Sequence, residues 1–329
     1  MALIDVPPGQ PGPEQVQVAV SLCGMCGSDA HVYRADAGYE WVTPPIVLGH
    51  EAVGVVTATG SDVPDSVAPG ARVVPMSLMG CGTCAICTNG LPQICPERTT
   101  LGLSVHGAVS GHCLVPWQSL VPVPERLPDM TAVLTEPASV AWRAVAVVGE
   151  VVSGHRVVVS GTGTVGLIAA LVATYRGADV TLLGRCGPSA QSKKTLADRL
   201  GLKFDTHAPE PGTVDVWIEA AGSAAQASAA LDALRPAGKL VLVSLYAARP
   251  DFDVNIAVRK ELAIRTSYGS VRADYEQTLD FLCSSPNLGA ELVTVFPMAQ
   301  AEEALRLTAE GGAPNGGMPL IKAAIAPNE

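Results

Sequence analysis

Aromatic residues are scarce, at 4% of the 329-residue chain, so small aliphatic side chains must fill most of any core. Excess positive charge is missing as well: 21 Lys and Arg stand against 31 Asp and Glu, for a net charge of −10. A nucleic-acid surface needs clustered cations, so this balance argues against that class of partner. No uncharged apolar run reaches the ~18 residues of a membrane-spanning helix. Gly or Pro cuts each apolar run short. The opening MALIDVPPGQPGPEQ has neither the basic n-region nor the apolar h-region of a secretory leader. The expectation is a cytoplasmic protein with no membrane partner and with its thiols mostly reduced.

Cysteine, by contrast, is concentrated. Four of the nine cysteines fall in CGTCAICTNGLPQIC, as Cys81, Cys84, Cys87 and Cys95. A reducing compartment and an odd total both disfavour a disulfide framework. Four thiolates suit a tetrahedral, closed, structural Zn²⁺ site with no position left for substrate. An iron–sulfur cluster is the chemical alternative. Gly82, Gly90 and Pro92 supply the turns. The lobe has almost no core of its own, so metal binding would provide its folding energy.

A second candidate metal site lies upstream. CGMCGSDAH runs from Cys23 to His31, and Gly49-His50-Glu51 follows. Cys26, His50 and Glu51 offer sulfur, nitrogen and oxygen, the mixed donor set of catalytic zinc.

The stretch HRVVVSGTGTVGLIAALVATYRGADVTLLGR reads as strand, glycine turn, helix and strand. Gly161-Thr162-Gly163-Thr164-Val165-Gly166 is a G-x-G-x-x-G in the required context. Gly161 permits the tight turn, Gly163 lets a pyrophosphate approach, and Gly166 lets helix and strand pack. The helix start at Thr164 and Val165 offers amide donors to phosphate. At the end of the second strand an NAD site usually carries Asp or Glu. Here Arg185 stands instead, followed by Ser189, Lys193 and Lys194, which favours NADP(H) over NAD(H). Later apolar runs at 214–222, 238–245 and 262–269 extend the sheet, and Ala221 and Ser244 should border the cofactor crevice.

Taken in order, Cys26-Gly27-Ser28-Asp29-x-His31, Gly49-His50-Glu51, the four-cysteine lobe and the Rossmann segment make the chain resemble the zinc-dependent medium-chain dehydrogenases, the alcohol/sorbitol/glucose dehydrogenase superfamily. The resemblance implies an α/β protein with a doubly wound parallel Rossmann sheet over 138–268. It implies a discontinuous, mainly-β, GroES-like catalytic domain over 1–137 and 269–329, with RADYEQTLDFLCSS helical and MPLIKAAIA a final strand. Relatives carry a strand or hairpin before the stretch matching ALIDVPPG, where this sequence has none.

Residue roles follow from the same resemblance. Cys26 and His50 would hold the catalytic zinc, with Asp29 orienting His50. Ser28 would hydrogen-bond the reacting hydroxyl, and His31 would end a proton relay. Cys23 has no family role and should be a buried thiol. Alcohol dehydrogenases take a cysteine near residue 136, but LTEPASVAWRAV has Glu136 there. The third ligand is therefore Glu51 or Glu136, and a carboxylate holds zinc less tightly than a thiolate. The implied reaction moves a hydride between a secondary alcohol (polyol, sugar or cyclitol-like) and a nicotinamide in a dry cleft between domains. Tyr39, Glu40 and Trp41 are candidates to shape the substrate pocket. The run LAIRTSYG would pair across a dimer axis, giving a homodimer or homotetramer. Two alternatives remain open: a lyase or epimerase that oxidises transiently, and a non-catalytic binding protein on the same fold.

Overall fold

The structure is a computed structural model, and it describes residues 2–5, 9–187, 190–310, 312 and 319–328. The chain divides into two compact units, 1–136 with 270–329, and 137–269. The first unit takes strands β1 (Gln15–Gly24), β2 (Glu51–Thr59), β3 (Arg72–Pro75), β4 (Leu78–Met79), β5 (Thr99–Thr100), β6 (His112–Pro116) and β7 (Leu120–Pro122). The second takes β8 (Arg156–Ser160), β9 (Asp179–Leu183), β10 (Lys203–Asp205), β11 (Val214–Glu219), β12 (Leu234–Leu242) and β13 (Ala263–Thr266). The chain then returns to the first unit as β14 (Val293–Pro297) and β15 (Lys322–Ala326).

β1 shows why the first unit folds as a sheet. In QVQVAVSLCG, Val16, Val18 and Val20 alternate inward and are buried, while their neighbours stay half-exposed. This period of two, built on β-branched residues, is the pattern of a half-buried strand. The sheet order is β14-β15-β1-β2-β3-β7, with β6 also on β1. Its core is aliphatic, with Phe296 among many Val, Leu and Ala side chains, as the scarcity of aromatics predicted. Gly24, at the end of β1, pairs with Glu51 at the start of β2 and with Ala324 of β15. Three distant segments, near residues 25, 50 and 322, therefore meet at one sheet end.

The second unit is a six-stranded parallel sheet in the order β10-β9-β8-β11-β12-β13. Numbered within the unit this is 3-2-1-4-5-6, the doubly wound Rossmann order. Trp217 of β11 is fully buried in its core. β8 and β9 occupy the residues expected from the sequence, whereas β12 starts at Leu234, ahead of the expected Gly238. The helix Arg272–Ser284 and β15 match the expected C-terminal elements, although Met318 lies outside the described residues. Among the described residues no helix is long and apolar enough to cross a membrane.

Candidate functional site

Cys26 opens the short helix Gly27–Tyr33. Its N–H donates to Asp29 Oδ2 at 2.8 Å, which fixes the helix start. Asp29 is fully buried, and its Oδ1 accepts from Gly49 N at 3.1 Å and lies 3.6 Å from His50 Nδ1. One carboxylate thus ties the Cys26 turn to the His50 turn. It also turns His50 Nε2 toward Ser28, whose Oγ is 3.4 Å away. Burial works to raise the Asp29 carboxyl, but His50 and the two amides hold it below the usual range. Burial likewise disfavours a charged His50, yet Asp29 and Cys26 together outweigh it and keep the ring well above its ordinary value.

Cys26, His50 and Glu51 each present a ligand atom within 4.8 Å of the other two. Glu51 is also committed elsewhere. Both of its oxygens accept from Lys322 Nζ, at 2.7 and 2.6 Å, and Lys322 donates further to Met25 O at 3.0 Å. The carboxylate lies against Gly24, where an added Cβ would sit 2.3 Å from Oε2. Glu136 stands outside this trio. In the first turn of helix Thr135–Trp142, its Oε1 accepts from Ser77 Oγ at 2.7 Å. Ser77 N in turn donates to Tyr275 Oη at 3.1 Å. Burial pushes the Glu136 carboxyl up, partly opposed by His50.

His31 is held by Asp36, 2.7 Å from its Nδ1, and stacks on Tyr39 at 5.2 Å. Trp41 donates to Gly38 O and is 52% exposed, while Glu40 accepts from Gly38 N. Cys23 is a fully buried thiol that burial pushes up.

The four sulfurs of Cys81, Cys84, Cys87 and Cys95 also lie within 4.8 Å of one another. Cys81 Sγ is 3.9 Å from Cys87 Sγ, and Cys84 Sγ is 3.7 Å from Cys95 Sγ. Disulfide sulfurs would sit at about 2.05 Å. A tetrahedron with metal–sulfur bonds of about 2.3 Å has edges of roughly 3.8 Å. The lobe is therefore shaped for a tetrahedral metal and not for disulfides. The N–H groups of Thr83 and Cys84 pull the Cys81 thiol down to about 6, toward the thiolate that ligates metal.

In the second unit the glycine turn has the geometry its sequence demands. Gly161 has φ +114°, and a Cβ there would meet Ala220 O at 2.6 Å. A Cβ on Gly166 would meet Gly161 O at 2.1 Å, whereas one on Gly163 would point into open space. Gly163 caps the helix Thr164–Tyr175, so Thr164 and Val165 form its first turn. Arg185 is exposed beyond β9. Lys193 Nζ donates to Thr162 O at 3.3 Å, and Lys194 is paired with Asp198 at 2.9 Å. Ser189 lies outside the described residues. Ala221 sits two residues past β11, but its N–H donates to Glu219 Oε1 at 2.9 Å. Ser244 lies beside Gly222, just after β12.

Residues 12–125 match the alcohol dehydrogenase GroES-like domain, and residues 129–311 match the glucose dehydrogenase C-terminus. A sorbitol dehydrogenase of Halalkalibacterium halodurans is 30% identical over 306 residues, covering 89% of this chain and 88% of the relative. The chain belongs to the zinc-type medium-chain dehydrogenase/reductase superfamily. An L-threonine 3-dehydrogenase of Stenotrophomonas maltophilia is 28% identical over 326 residues, covering 94% of each chain. A structure from Sinorhizobium meliloti, described as a zinc-binding dehydrogenase bound to NADP, superposes with a TM-score of 0.87 at 25% identity. It covers 98% of this chain and 94% of that one. The chain is thus an alcohol-dehydrogenase-type oxidoreductase.

Several groups that shape the sites of this dehydrogenase were missed in the sequence. Lys322 had one readable signal, a lone cation inside the apolar strand LIKAAIA. Ser77 and Tyr275 had none, because Ser77 meets Glu136 while bonded to Tyr275 from 198 residues away. Glu219 ends β11 and is fully buried, with no signal in the run 214–222 to single it out.

Proposed function

We propose that this dehydrogenase is a zinc-dependent enzyme that interconverts a secondary alcohol, of polyol, sugar or cyclitol type, and its carbonyl, with NADP(H) favoured over NAD(H). The observation that carries the reading is the convergence of Cys26, His50 and Glu51 beside the Ser28 hydroxyl. A thiolate, a carboxylate-backed imidazole and a carboxylate form a donor set that suits zinc. Cys26 and His50 would hold it with Glu51 or Glu136, and the four-cysteine lobe would hold a second ion. Bound at the first site, zinc supplies Lewis acidity to the substrate oxygen. The nicotinamide supplies the hydride acceptor or donor.

The chain's own residues do the rest. Ser28 Oγ hydrogen-bonds the substrate hydroxyl and takes its proton onward during oxidation. Asp29 keeps His50 in one orientation. Asp36 anchors the His31 ring through Nδ1, leaving Nε2 to exchange protons with solvent. Glu136, fixed by Ser77, orients the substrate. Turnover of polyols, sugars and secondary alcohols with both cofactors tests the reading. Net cofactor reduction supports it; product without net reduction favours the transient-oxidation alternative; no turnover across the panel favours a binder.

Glu136→Gln is expected to lower kcat about 100-fold, the scale of a lost acid–base or orienting group. It is not expected to lower stability. A carboxyl raised by burial destabilises the fold as pH climbs from its unfolded value toward the higher folded one, and the cost stays in place above that window. Neutral-pH urea unfolding should therefore show the Gln variant at least as stable as wild type. A wild-type rate would reduce Glu136 to a packing residue.

The cofactor preference rests on two cations beside the glycine turn. Burial and the Arg185 charge together lower Lys193. An anion placed between the two cations would relieve that repulsion, as a 2′-phosphate does. Arg185→Ala should raise the KM for NADP⁺ about tenfold, the worth of one charge-assisted hydrogen bond, and leave that for NAD⁺ unchanged. Equal changes for both would reject Arg185 as the discriminator. On oligomeric state, the outer strand β13 leaves Ile264 exposed, with Tyr268 exposed two residues after it. An unpaired edge of this kind invites a second copy, which supports a homodimer or homotetramer.

A further inference from the structure

Glu219 ends β11 and is fully buried, with donors from three separate segments. Oε1 accepts from Ala221 N at 2.9 Å, Ser223 N at 3.3 Å and Ser160 Oγ at 3.4 Å. Oε2 accepts from Gly222 N at 3.1 Å and from Tyr246 Oη at 2.6 Å. Ser160 is the last residue of β8, directly before the glycine turn, and Tyr246 follows β12. Gly222 and Leu245 approach so closely that a Cβ on Gly222 would lie 2.8 Å from Leu245 O. Burial and the Glu219 charge push the Tyr246 phenol up, so it remains a donor.

This network has a consequence for phosphate. Three successive amides, at 221 to 223, sit at the start of helix Ala224–Ala233 and would otherwise form an anion cradle. Glu219 already fills it. The amides at the Gly161–Gly166 turn are then the place for a pyrophosphate, and the β11–β12 side is left to hold the end of the cofactor that carries no further phosphate. A doubly wound sheet binds one mononucleotide on each side of the point where strand order reverses, here between β8 and β11. Arg185 follows β9 and marks the adenosine side, so Tyr246 belongs to the nicotinamide side.

We propose that the Tyr246–Glu219 hydrogen bond is a positioning tether that holds the loop after β12 in the shape that receives the nicotinamide half of the cofactor. The proposal rests on the nicotinamide reading above. Neither group touches the reacting atoms; Tyr246 acts through the backbone of residues 243–246. Without the tether, cofactor binding must order this loop, and the cost appears as weaker affinity for the half it contacts.

The test is Tyr246→Phe, which keeps the ring and removes the hydroxyl. Affinities for NADPH and for 2′-phospho-ADP-ribose, which lacks the nicotinamide, are measured by titration, with the melting temperature of the cofactor-free protein alongside. The expected result is an NADPH Kd raised about tenfold, the scale of a charge-assisted hydrogen bond, with the fragment's Kd unchanged. A lower melting temperature with both Kd values unchanged would make the bond purely structural and overturn the tether. Equal weakening of both ligands would overturn its assignment to the nicotinamide half. A wild-type protein that binds neither NADP(H) nor NAD(H) would sink the parent reading, and the tether with it. Should the Phe variant misfold, Tyr246→Trp, which restores a ring N–H donor, must bind NADPH more tightly than Tyr246→Leu.

Discussion

Lys322→Met is expected to destabilise the first unit by about 3–5 kcal/mol, the usual cost of removing one partner from a buried ion pair. The Lys322 and Glu51 side chains are only 4% and 1% exposed. Removing the ammonium leaves Glu51 closed in against Gly24 with both oxygens deprived of their donor. Relaxation cannot easily open that space, because Gly24 is paired on both sides, to Glu51 and to Ala324. Urea unfolding in the presence of a chelator isolates this term from any metal. The double variant Lys322→Met/Glu51→Gln should recover much of the loss, since it removes the stranded charge. A single-variant loss below about 1 kcal/mol would mean that water reaches the pair and that it behaves as a surface bridge.

The pH dependence has a definite sign. Burial alone would lower Lys322, but the Glu51 carboxylate overrides it and the folded value is raised. A raised cation contributes fully below its unfolded value, about 10.4, and loses that contribution as pH rises through the folded value. The gap between wild type and Lys322→Met should therefore persist across neutral pH and close in strong alkali.

This pair also shows where sequence reading stops. The glycine turn, β8 and β9 were legible because their signals are local: a period of two, a G-x-G-x-x-G and a helix start, all within some thirty residues. The two Cys/His/Glu clusters that the structure draws together were legible because thiols and imidazoles at short spacing are uncommon in sequence. The competition for Glu51 was not, because Lys322 reaches it across 271 residues and only the pairing of β1 with both β2 and β15 brings them together. Glu136 is a similar case. Its candidacy as a ligand was readable, but Ser77, which holds its carboxylate, comes from the link between β3 and β4, and Tyr275, which holds Ser77, comes from the returning helix. The sequence reading of Ala221 named the right strand end and missed that Glu219, two residues earlier, had already taken its amide.

Chelation, or Cys81→Ser, is expected to unfold the segment 80–98 while leaving the second unit intact. Structural zinc in small cysteine sites carries an apparent ~10–16 kcal/mol of binding free energy, which doubles as folding free energy. Little else holds this lobe. Its regular structure is one four-residue helix, Ala85–Thr88, and one turn of 3₁₀ helix, Pro92–Ile94. Between Cys81 and Arg98 only Gln93 and Cys95 are buried, while Leu91 and Ile94 are exposed. With the metal gone, thiols less than 4 Å apart have no common partner, and the Cys81 thiolate favoured by the Thr83 and Cys84 amides adds charge with nothing to balance it. Arg98 is the sole Lys or Arg between Arg72 and Arg126, so trypsin reports on this segment alone. The metal-loaded protein should resist cleavage after Arg98, and the chelated protein and Cys81→Ser should be cut there. Metal analysis should find two zinc ions per chain in wild type and one in Cys81→Ser, the remaining ion being the one held by Cys26 and His50. Resistance to trypsin in the chelated protein would show that the lobe folds without metal, and iron with acid-labile sulfide in place of zinc would replace the closed zinc site with a cluster.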